Sequence, residues 1–127
     1  MNEYSFERLD AYNLAREYRK KIYKLTNKLP KEEEYNLIRQ MRRAAVSLTN
    51  NIAEGHGRYH YQENIQFLRQ SRGSLEELID DLNICVDESY IDTDCIEKLK
   101  HEGYMVLKKL NGYIKYIKGK KLESVTN

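Results

Sequence analysis

The sequence predicts an all-α protein, an antiparallel up-down-up-down four-helix bundle, and three observations support this prediction. Apolar residues recur at alternating steps of three and four along most of the chain, which is the spacing of one face of an α-helix. The 127 residues include one proline and six glycines, so little interrupts long helices. A chain of this length can bury a core of its own, and we expect residues 1–127 to form one domain.

The first two helices are predicted over about 6–28 and 31–55. Ser5 is the expected N-cap of the first helix, and Leu29 ends it because a residue that precedes proline avoids the α region. Three glutamates open the second helix, where their charge complements the positive end of the helix dipole. Gly55, with the glycine two residues later, is expected to give this helix a left-handed exit.

The last two helices are predicted over about 60–88 and 93–118. Gly73 lies inside the third helix at a cost of about 1 kcal/mol relative to alanine, so we expect two helices to approach closely there. Asp92 or Thr93 caps the fourth helix, and the polar tail that follows it is expected to fray. Because the connections are short, consecutive helices should be antiparallel.

Composition argues against several classes of protein. The first ten residues lack the basic and apolar regions of a signal peptide, and no apolar run approaches the roughly 20 residues of a membrane span. We therefore expect a cytoplasmic protein whose Cys85 and Cys95 are reduced thiols. Neither these cysteines nor His56 and His60, which a glycine-rich turn separates, have the spacing of metal ligands. The sequence predicts no metal, no cofactor and no enzymatic activity.

A polar cluster lies on one face of the second predicted helix. Its members fall at steps of four, four and three: Arg43, Ser47, Asn51 and Glu54. A carboxylate–arginine pair can serve catalysis, but the same side chains can form a hydrogen-bond network that fixes helix register. No nucleophile and base stand out beside the cluster, so we interpret it as a structural network.

Charge is distributed unevenly along the second half of the chain. Positions 76–97 contain nine acidic and no basic residues, whereas positions 98–121 contain eight lysines and one acidic residue. In an antiparallel bundle this pattern predicts an acidic end and a basic end, despite a net charge of only +2. The basic end is a candidate surface for the nucleic-acid backbone. The predicted contacts are Arg42, Arg43, Arg58, Arg69, Arg72, Lys115 and Lys118.

Two alternatives for the basic end stay open at this point. It can bind a nucleic acid, or it can form salt bridges with the acidic end of a neighbouring subunit. Tyr59 and Tyr61 flank the basic turn, where they can stack on bases or pack in an interface.

The tyrosine content indicates self-association. The chain has eleven tyrosines and no tryptophan, more aromatic residues than one bundle core needs. We expect some of them to cover a subunit interface. The candidates are Tyr4, Tyr23, Tyr35, Tyr90, Tyr104 and Tyr116.

Two stretches carry a family resemblance. QMRRAAVS and NIAEGHGR in the second helix, followed by FLRQSRGSLEEL in the third, resemble the four-helix-bundle proteins encoded by intervening sequences in bacterial 23S rRNA genes. The accessory variability determinant of diversity-generating retroelements, Avd, is a relative of that family. The resemblance covers nearly the whole chain.

The resemblance implies a ring-like homopentamer with no known enzymatic activity. The retroelement relative binds nucleic acid and a reverse transcriptase, so two functions are implied for this chain. The first is a homo-oligomer that binds RNA or DNA through its basic end. The alternative is a protein-interaction scaffold that docks a partner such as a reverse transcriptase without binding nucleic acid directly.

Overall fold

A computed structural model describes residues 5–126, and within these residues there are four α-helices, two short 3-10 helices and no strand. The predicted all-α fold class is confirmed. The four long helices are α1 (Asp10–Thr26), α2 (Leu37–His56), α3 (Tyr61–Asp87) and α4 (Thr93–Thr126). The 3-10 helices are Phe6–Arg8 and Lys31–Glu33.

By their backbone contacts the helices form a square, and its sides are the pairs α1 with α2, α2 with α3, α3 with α4, and α4 with α1. Contacts between α2 and α3 show their direction. The Ser71 hydroxyl donates to the Leu48 carbonyl at 2.5 Å, and Gln40 Nε2 donates to Asp81 Oδ1 at 2.8 Å. Numbers therefore rise along α3 as they fall along α2, as they must in antiparallel helices.

The core consists of the predicted apolar stripes. Each helix contributes residues at steps of three and four, and the largest fully buried side chains include Ile22 on α1, Leu48 on α2, Leu78 on α3 and Leu110 on α4. Burial of each such side chain stabilises the fold by about 1.5–3 kcal/mol. One contiguous apolar interior thus holds all four helices together.

Two helix starts differ from the predicted boundaries. The first begins at Asp10 rather than near position 6, because residues Phe6–Arg8 form a 3-10 turn that ends in extended backbone at Leu9. Ser5 caps that turn instead of α1, and its hydroxyl accepts a hydrogen bond from the Glu7 backbone N–H at 3.1 Å. The second long helix begins at Leu37 rather than near position 31.

The turns and the last helix also depart from expectation. None of the described glycines has a positive φ, and Gly57 ends α2 in right-handed backbone at φ −78°, so the predicted left-handed exit is wrong. The left-handed residue is Ser89 at φ 58°, in the turn between α3 and α4. Asp92 caps α4 through its Oδ1, which accepts from the Cys95 N–H at 2.9 Å. The tail does not fray at position 118, since α4 continues to Thr126.

The close helix approaches occur at different glycines from the one predicted. A methyl group at Gly73 would meet nothing within 4 Å, so this position faces open space. At Gly103 a methyl group would lie 2.9 Å from the Tyr18 hydroxyl oxygen, and at Gly55 it would lie 2.8 Å from Asn64 Oδ1. Gly103 therefore lets α4 approach α1, and Gly55 lets α2 approach α3.

Candidate nucleic-acid interface

The basic end is where α2 finishes, α3 begins and the second half of α4 passes. Its centre is a furrow between α3 and α4, which we call the α3–α4 furrow. The residues that line the furrow are Gln62, Ile65, Arg69, Lys118, Lys121 and Leu122. Lys121 Nζ donates to Gln62 Oε1 across it. Farther along the same pair of helices, Arg72 Nη1 donates to Asn111 Oδ1 at 2.9 Å.

The three cations of the furrow and the neighbouring Arg72 lack acidic partners among the described residues. Within the described residues, no carboxylate lies within ion-pair distance of Arg69, Arg72, Lys118 or Lys121. The hydrogen bonds of Arg72 and Lys121 are to neutral amide oxygens, which leave the positive charge uncompensated. A row of uncompensated cations in a depression attracts an extended anion.

The turn before α3 adds one more cation and two tyrosine rings. Arg58 Nη2 lies 3.4 Å from Glu54 Oε1, and its guanidinium lies 4.7 Å from the centre of the Phe67 ring. Tyr59 is 92% exposed and Tyr61 is 39% exposed. Arg58 is thus partly neutralised, while both rings stay open to solvent.

A second aromatic group lies on α4 near the basic end, where Tyr113 lines the groove between α4 and the start of α1. The Tyr113 and Tyr116 rings stack with their centres 6.4 Å apart, and Lys120 Nζ lies 5.5 Å from the centre of the Tyr116 ring. The Tyr113 hydroxyl lies 3.4 Å from His56 Nδ1, which joins α4 to the end of α2. Burial raises the pKa of Tyr113, so this hydroxyl stays protonated near neutral pH.

Two of the seven predicted contacts lie elsewhere, which corrects the sequence prediction. Arg42 Nε donates to Thr26 Oγ1 at 2.9 Å, and Nη2 donates to Asn27 Oδ1 at 2.7 Å. Thr26 ends α1, so Arg42 belongs to the opposite end of the bundle. Arg43 is exposed in a groove between α2 and α3 that Glu77 also lines. Arg58, Arg69, Arg72, Lys115 and Lys118 are the predicted contacts that lie toward the basic end.

The predicted polar cluster is only partly connected. Asn51 Nδ2 donates to both the carbonyl and the hydroxyl of Ser47 at 2.9 Å, and the Ser47 hydroxyl lies 2.9 Å from that of Ser74 on α3. These bonds link α2 to α3. Glu54 instead lies near Arg58, and Arg43 lies in the exposed groove wall. Ser74 is a member of the network that spacing along the second helix does not predict, because it lies on α3.

The opposite end of the bundle is fixed by a bond between two acidic segments. The Tyr90 hydroxyl donates to Glu33 Oε2 at 2.8 Å, and Asn36 Nδ2 donates to Glu33 Oε1 at 2.9 Å. The bond from Tyr90, followed by the bond from Asn36, holds the pKa of Glu33 below its usual value. Tyr90, predicted as an interface residue, thus has a partner within its own chain.

One acidic residue, Asp81, is buried in the interior. It is 1% exposed, and burial followed by the negative charge of Glu77 raises its pKa to about 7. Its Oδ1 accepts from Gln40, whereas its Oδ2 has no hydrogen-bond partner among the described residues. The buried Tyr18 hydroxyl likewise lacks a partner there, and burial raises its pKa.

Other tyrosines and apolar residues remain on the surface. Tyr35 and Tyr104 are 74% and 51% exposed, and Leu14 and Met105 lie in a groove between α1 and α4 with 36% and 42% exposed. Tyr23, though exposed, has the Arg42 guanidinium 5.1 Å from its ring centre. Tyr4 lies outside the described residues. The α1–α4 groove is thus a partly uncovered apolar surface.

Neither a membrane-spanning helix nor a cluster of metal ligands occurs among the described residues. Among the helices that the structure describes, none combines the length and apolar character needed to cross a membrane. Within the same part of the chain, no three His, Cys, Asp or Glu side chains converge as metal ligands would.

Comparison with known proteins places these features in context. A family model described as 23S rRNA-intervening sequence protein matches residues 7–112. No curated protein matches the chain. The chain is similar to a crystal structure of a protein of unknown function from the S23 ribosomal protein family of Bacteroides thetaiotaomicron VPI-5482. The two share 21% sequence identity at a TM-score of 0.76, over 83% of this chain and 95% of the other, which shows a common fold.

Proposed function

The chain belongs to the 23S rRNA-intervening sequence protein family, and we propose that it is a non-enzymatic homo-oligomer that binds RNA or DNA through backbone phosphates. The observation that supports this proposal is the α3–α4 furrow, where Arg69, Lys118 and Lys121 line one depression and have no acidic partner within the described part of the chain. Lysine and arginine contacts to phosphates release counterions and supply most of the affinity of sequence-independent binding.

The proposal of no enzymatic activity is supported by where the perturbed ionisable groups lie. Functional acids and bases with shifted pKa values occupy clefts that a substrate can enter. Here the most perturbed carboxyl group, Asp81, is 1% exposed in the core, and Tyr18 is 2% exposed beside it. The unusual pKa values therefore arise from packing.

Salt dependence tests the nucleic-acid interface. The full chain is titrated against a fluorescein-labelled oligonucleotide while fluorescence anisotropy is recorded at several salt concentrations. With four phosphate contacts, the logarithm of the binding constant should fall with the logarithm of salt concentration at a slope of about −3 for a single strand. Absence of binding at about 50 mM salt would reject the proposal.

Two matched double variants locate the interface. Arg69→Gln with Lys118→Gln removes two of the three cations that line the furrow. Lys121 and the nearby Arg72 remain, so the salt slope should fall by about half. Arg39→Gln with Arg43→Gln removes the same charge from the α2–α3 groove and should leave the slope unchanged. Equal weakening by the two double variants would place the interface elsewhere.

Homo-oligomer formation is proposed through the apolar α1–α4 groove. Leu14 and Met105 expose apolar surface along this groove, and exposed apolar surface of this kind is covered in subunit interfaces. Light scattering should give about five times the chain mass of 15.2 kDa if the oligomer is a pentamer. Met105→Glu should dissociate it, whereas Val46→Glu, at a similarly exposed position on α2, should not.

The second candidate function is a scaffold that docks a partner protein, such as a reverse transcriptase, without direct nucleic-acid binding. The apolar α1–α4 groove also suits a helix of such a partner. A partner that co-purifies equally well after nuclease treatment, from a chain that binds no oligonucleotide, would favour this function over the first.

A further inference from the structure

We propose that the basic end selects unpaired nucleic-acid strands over duplexes, an inference that rests on the proposed function. Three exposed tyrosine rings lie among its cations, and they provide flat surfaces on which unpaired bases stack. Tyr59 follows Arg58 directly, and Tyr61 precedes Gln62 of the furrow. Tyr116 lies beside Lys120 on the side of α4 away from the furrow. One strand could place its phosphates in the furrow and stack its bases on the rings.

The three rings are exposed, unlike the aromatic residues that pack in the core. Tyr18 is 2% exposed in the core, whereas Tyr59 is 92%, Tyr116 is 57% and Tyr61 is 39% exposed. Stacking a base on the ring removes apolar surface of both partners from water, and this removal is favourable. Base stacking on aromatic side chains is also tolerant of sequence, because every base has a π-face.

The rings already contact cationic or ionisable groups. Lys120 Nζ lies 5.5 Å from the centre of the Tyr116 ring, and the His60 ring meets Tyr59 edge to face with centres 5.0 Å apart. Positive charge beside an aromatic surface is the combination found in sites for single strands. A single strand bound along these residues would contact aromatic rings with its bases and cations with its phosphates.

The shape of the cationic surface favours the same ligand. The cations line a depression between two helices, and the stretch from Gln62 to Arg72 spans ten residues of α3, about 15 Å. A flexible single strand can lay its phosphates in this furrow and turn its bases toward the rings. In a duplex the bases are paired and stacked within the helix, so they reach the rings only at an unstacking cost of a few kcal/mol.

The experiment compares three probes of about 15 nucleotides by fluorescence anisotropy at about 50 mM salt: oligo-uridine RNA, oligo-thymidine DNA and a DNA duplex. The full chain should bind at least one single strand about tenfold more tightly than the duplex.

Ring-removing and ring-keeping variants test the role of the tyrosines. Tyr59→Ala with Tyr61→Ala should weaken single-strand binding about tenfold and change duplex binding less than twofold. Tyr59→Phe with Tyr61→Phe keeps both rings and should bind as the parent chain does. Tyr35→Ala removes a ring that is 74% exposed outside the basic end and should have no effect. Unchanged melting curves for all variants establish that each remains folded.

Equal affinity for duplex and single strands, or equal weakening of both by the alanine double variant, would overturn the inference while leaving the proposed function in place. Failure of every probe to bind would overturn the proposed function itself. A tenfold loss that the phenylalanine double variant shares would show that the hydroxyl groups, rather than stacking, hold the strand, and would also overturn the inference.

Discussion

The Tyr90 hydroxyl donates a 2.8 Å hydrogen bond to Glu33 Oε2, although 57 residues separate the two side chains in sequence. The bond ties the 3-10 turn before α2 to the turn between α3 and α4. The hydrogen bond to Glu33, followed by burial and by the negative charge of Glu33, raises the pKa of Tyr90 to about 12. Two connections at the acidic end are thereby held against each other.

The first prediction concerns the pH dependence of this bond. The pKa of Glu33 is lower in the folded chain than its usual 4.5, so its stabilising effect is present above pH 4.5 and is lost as pH falls through the folded value. Tyr90→Phe should therefore lower the melting temperature more at pH 7 than at pH 3. Equal losses at both pH values, measured by circular dichroism, would contradict the prediction.

The second prediction concerns Asp81, whose pKa shifts in the opposite direction. Its pKa rises from 3.8 to about 7 on folding, so the folded state is favoured below pH 4 and this advantage is lost as pH rises through 7. Asp81→Asn still accepts the bond from Gln40 and should stabilise the chain at pH 8 by on the order of 1–3 kcal/mol. Urea unfolding of both chains from pH 4 to pH 8 measures the difference, and a pH-independent difference would refute the assignment.

The third prediction compares two glycines within helices. Gly103→Ala would place a methyl group 2.9 Å from the Tyr18 hydroxyl and 3.2 Å from Ile79 Cγ1, and should destabilise the chain by about 1–3 kcal/mol. Gly73→Ala meets nothing within 4 Å and should stabilise the chain by about 0.5–1 kcal/mol. Chemical denaturation of the pair should show changes of opposite sign; changes of the same sign would contradict the packing described.

The fourth prediction concerns Ser89, the described non-glycine residue with a positive φ, 58°. Its Cβ is disfavoured in left-handed backbone, and this is the position after a helix where glycine is preferred. Ser89→Gly should raise the free energy of unfolding by about 1 kcal/mol, while Ser89→Ala should not. If Ser89→Gly leaves the free energy of unfolding unchanged or lowers it, the serine hydroxyl stabilises the turn by at least as much as the left-handed backbone destabilises it.

The spacing of apolar residues also predicts which polar residues and glycines are buried. On α3 the stripe of Leu68 and Leu75 is completed by Ser71, which is buried, while Gly73 falls off the stripe and is exposed. On α4 the steps of four and three from Leu99 to Val106 pass through Gly103. The helical periodicity thus marks buried polar and glycine positions as well as apolar ones.

Parts of the candidate site required three-dimensional information. Arg42 lies five residues into a 20-residue helix, and its distance from the end of α2, about 21 Å, places it near the end of α1 rather than at the basic end. The extension of α4 was also not apparent, because its apolar stripe ends near Ile117. Beyond that point polar contacts, such as the one from Lys121 to Gln62, accompany the helix.

The hairpin of α3 and α4, acidic at its turn and basic at its open end, has a consequence for how the chain meets a polyanion. Its 27-residue α3 is about 40 Å long, several times the screening distance of about 8 Å in physiological salt. Repulsion of the polyanion by the acidic end therefore does not cancel its attraction to the basic end. The two forces together rotate the molecule as it diffuses toward the polyanion. The basic end would face the polyanion at encounter. This orientation raises the association rate, which the need for a correct orientation otherwise limits.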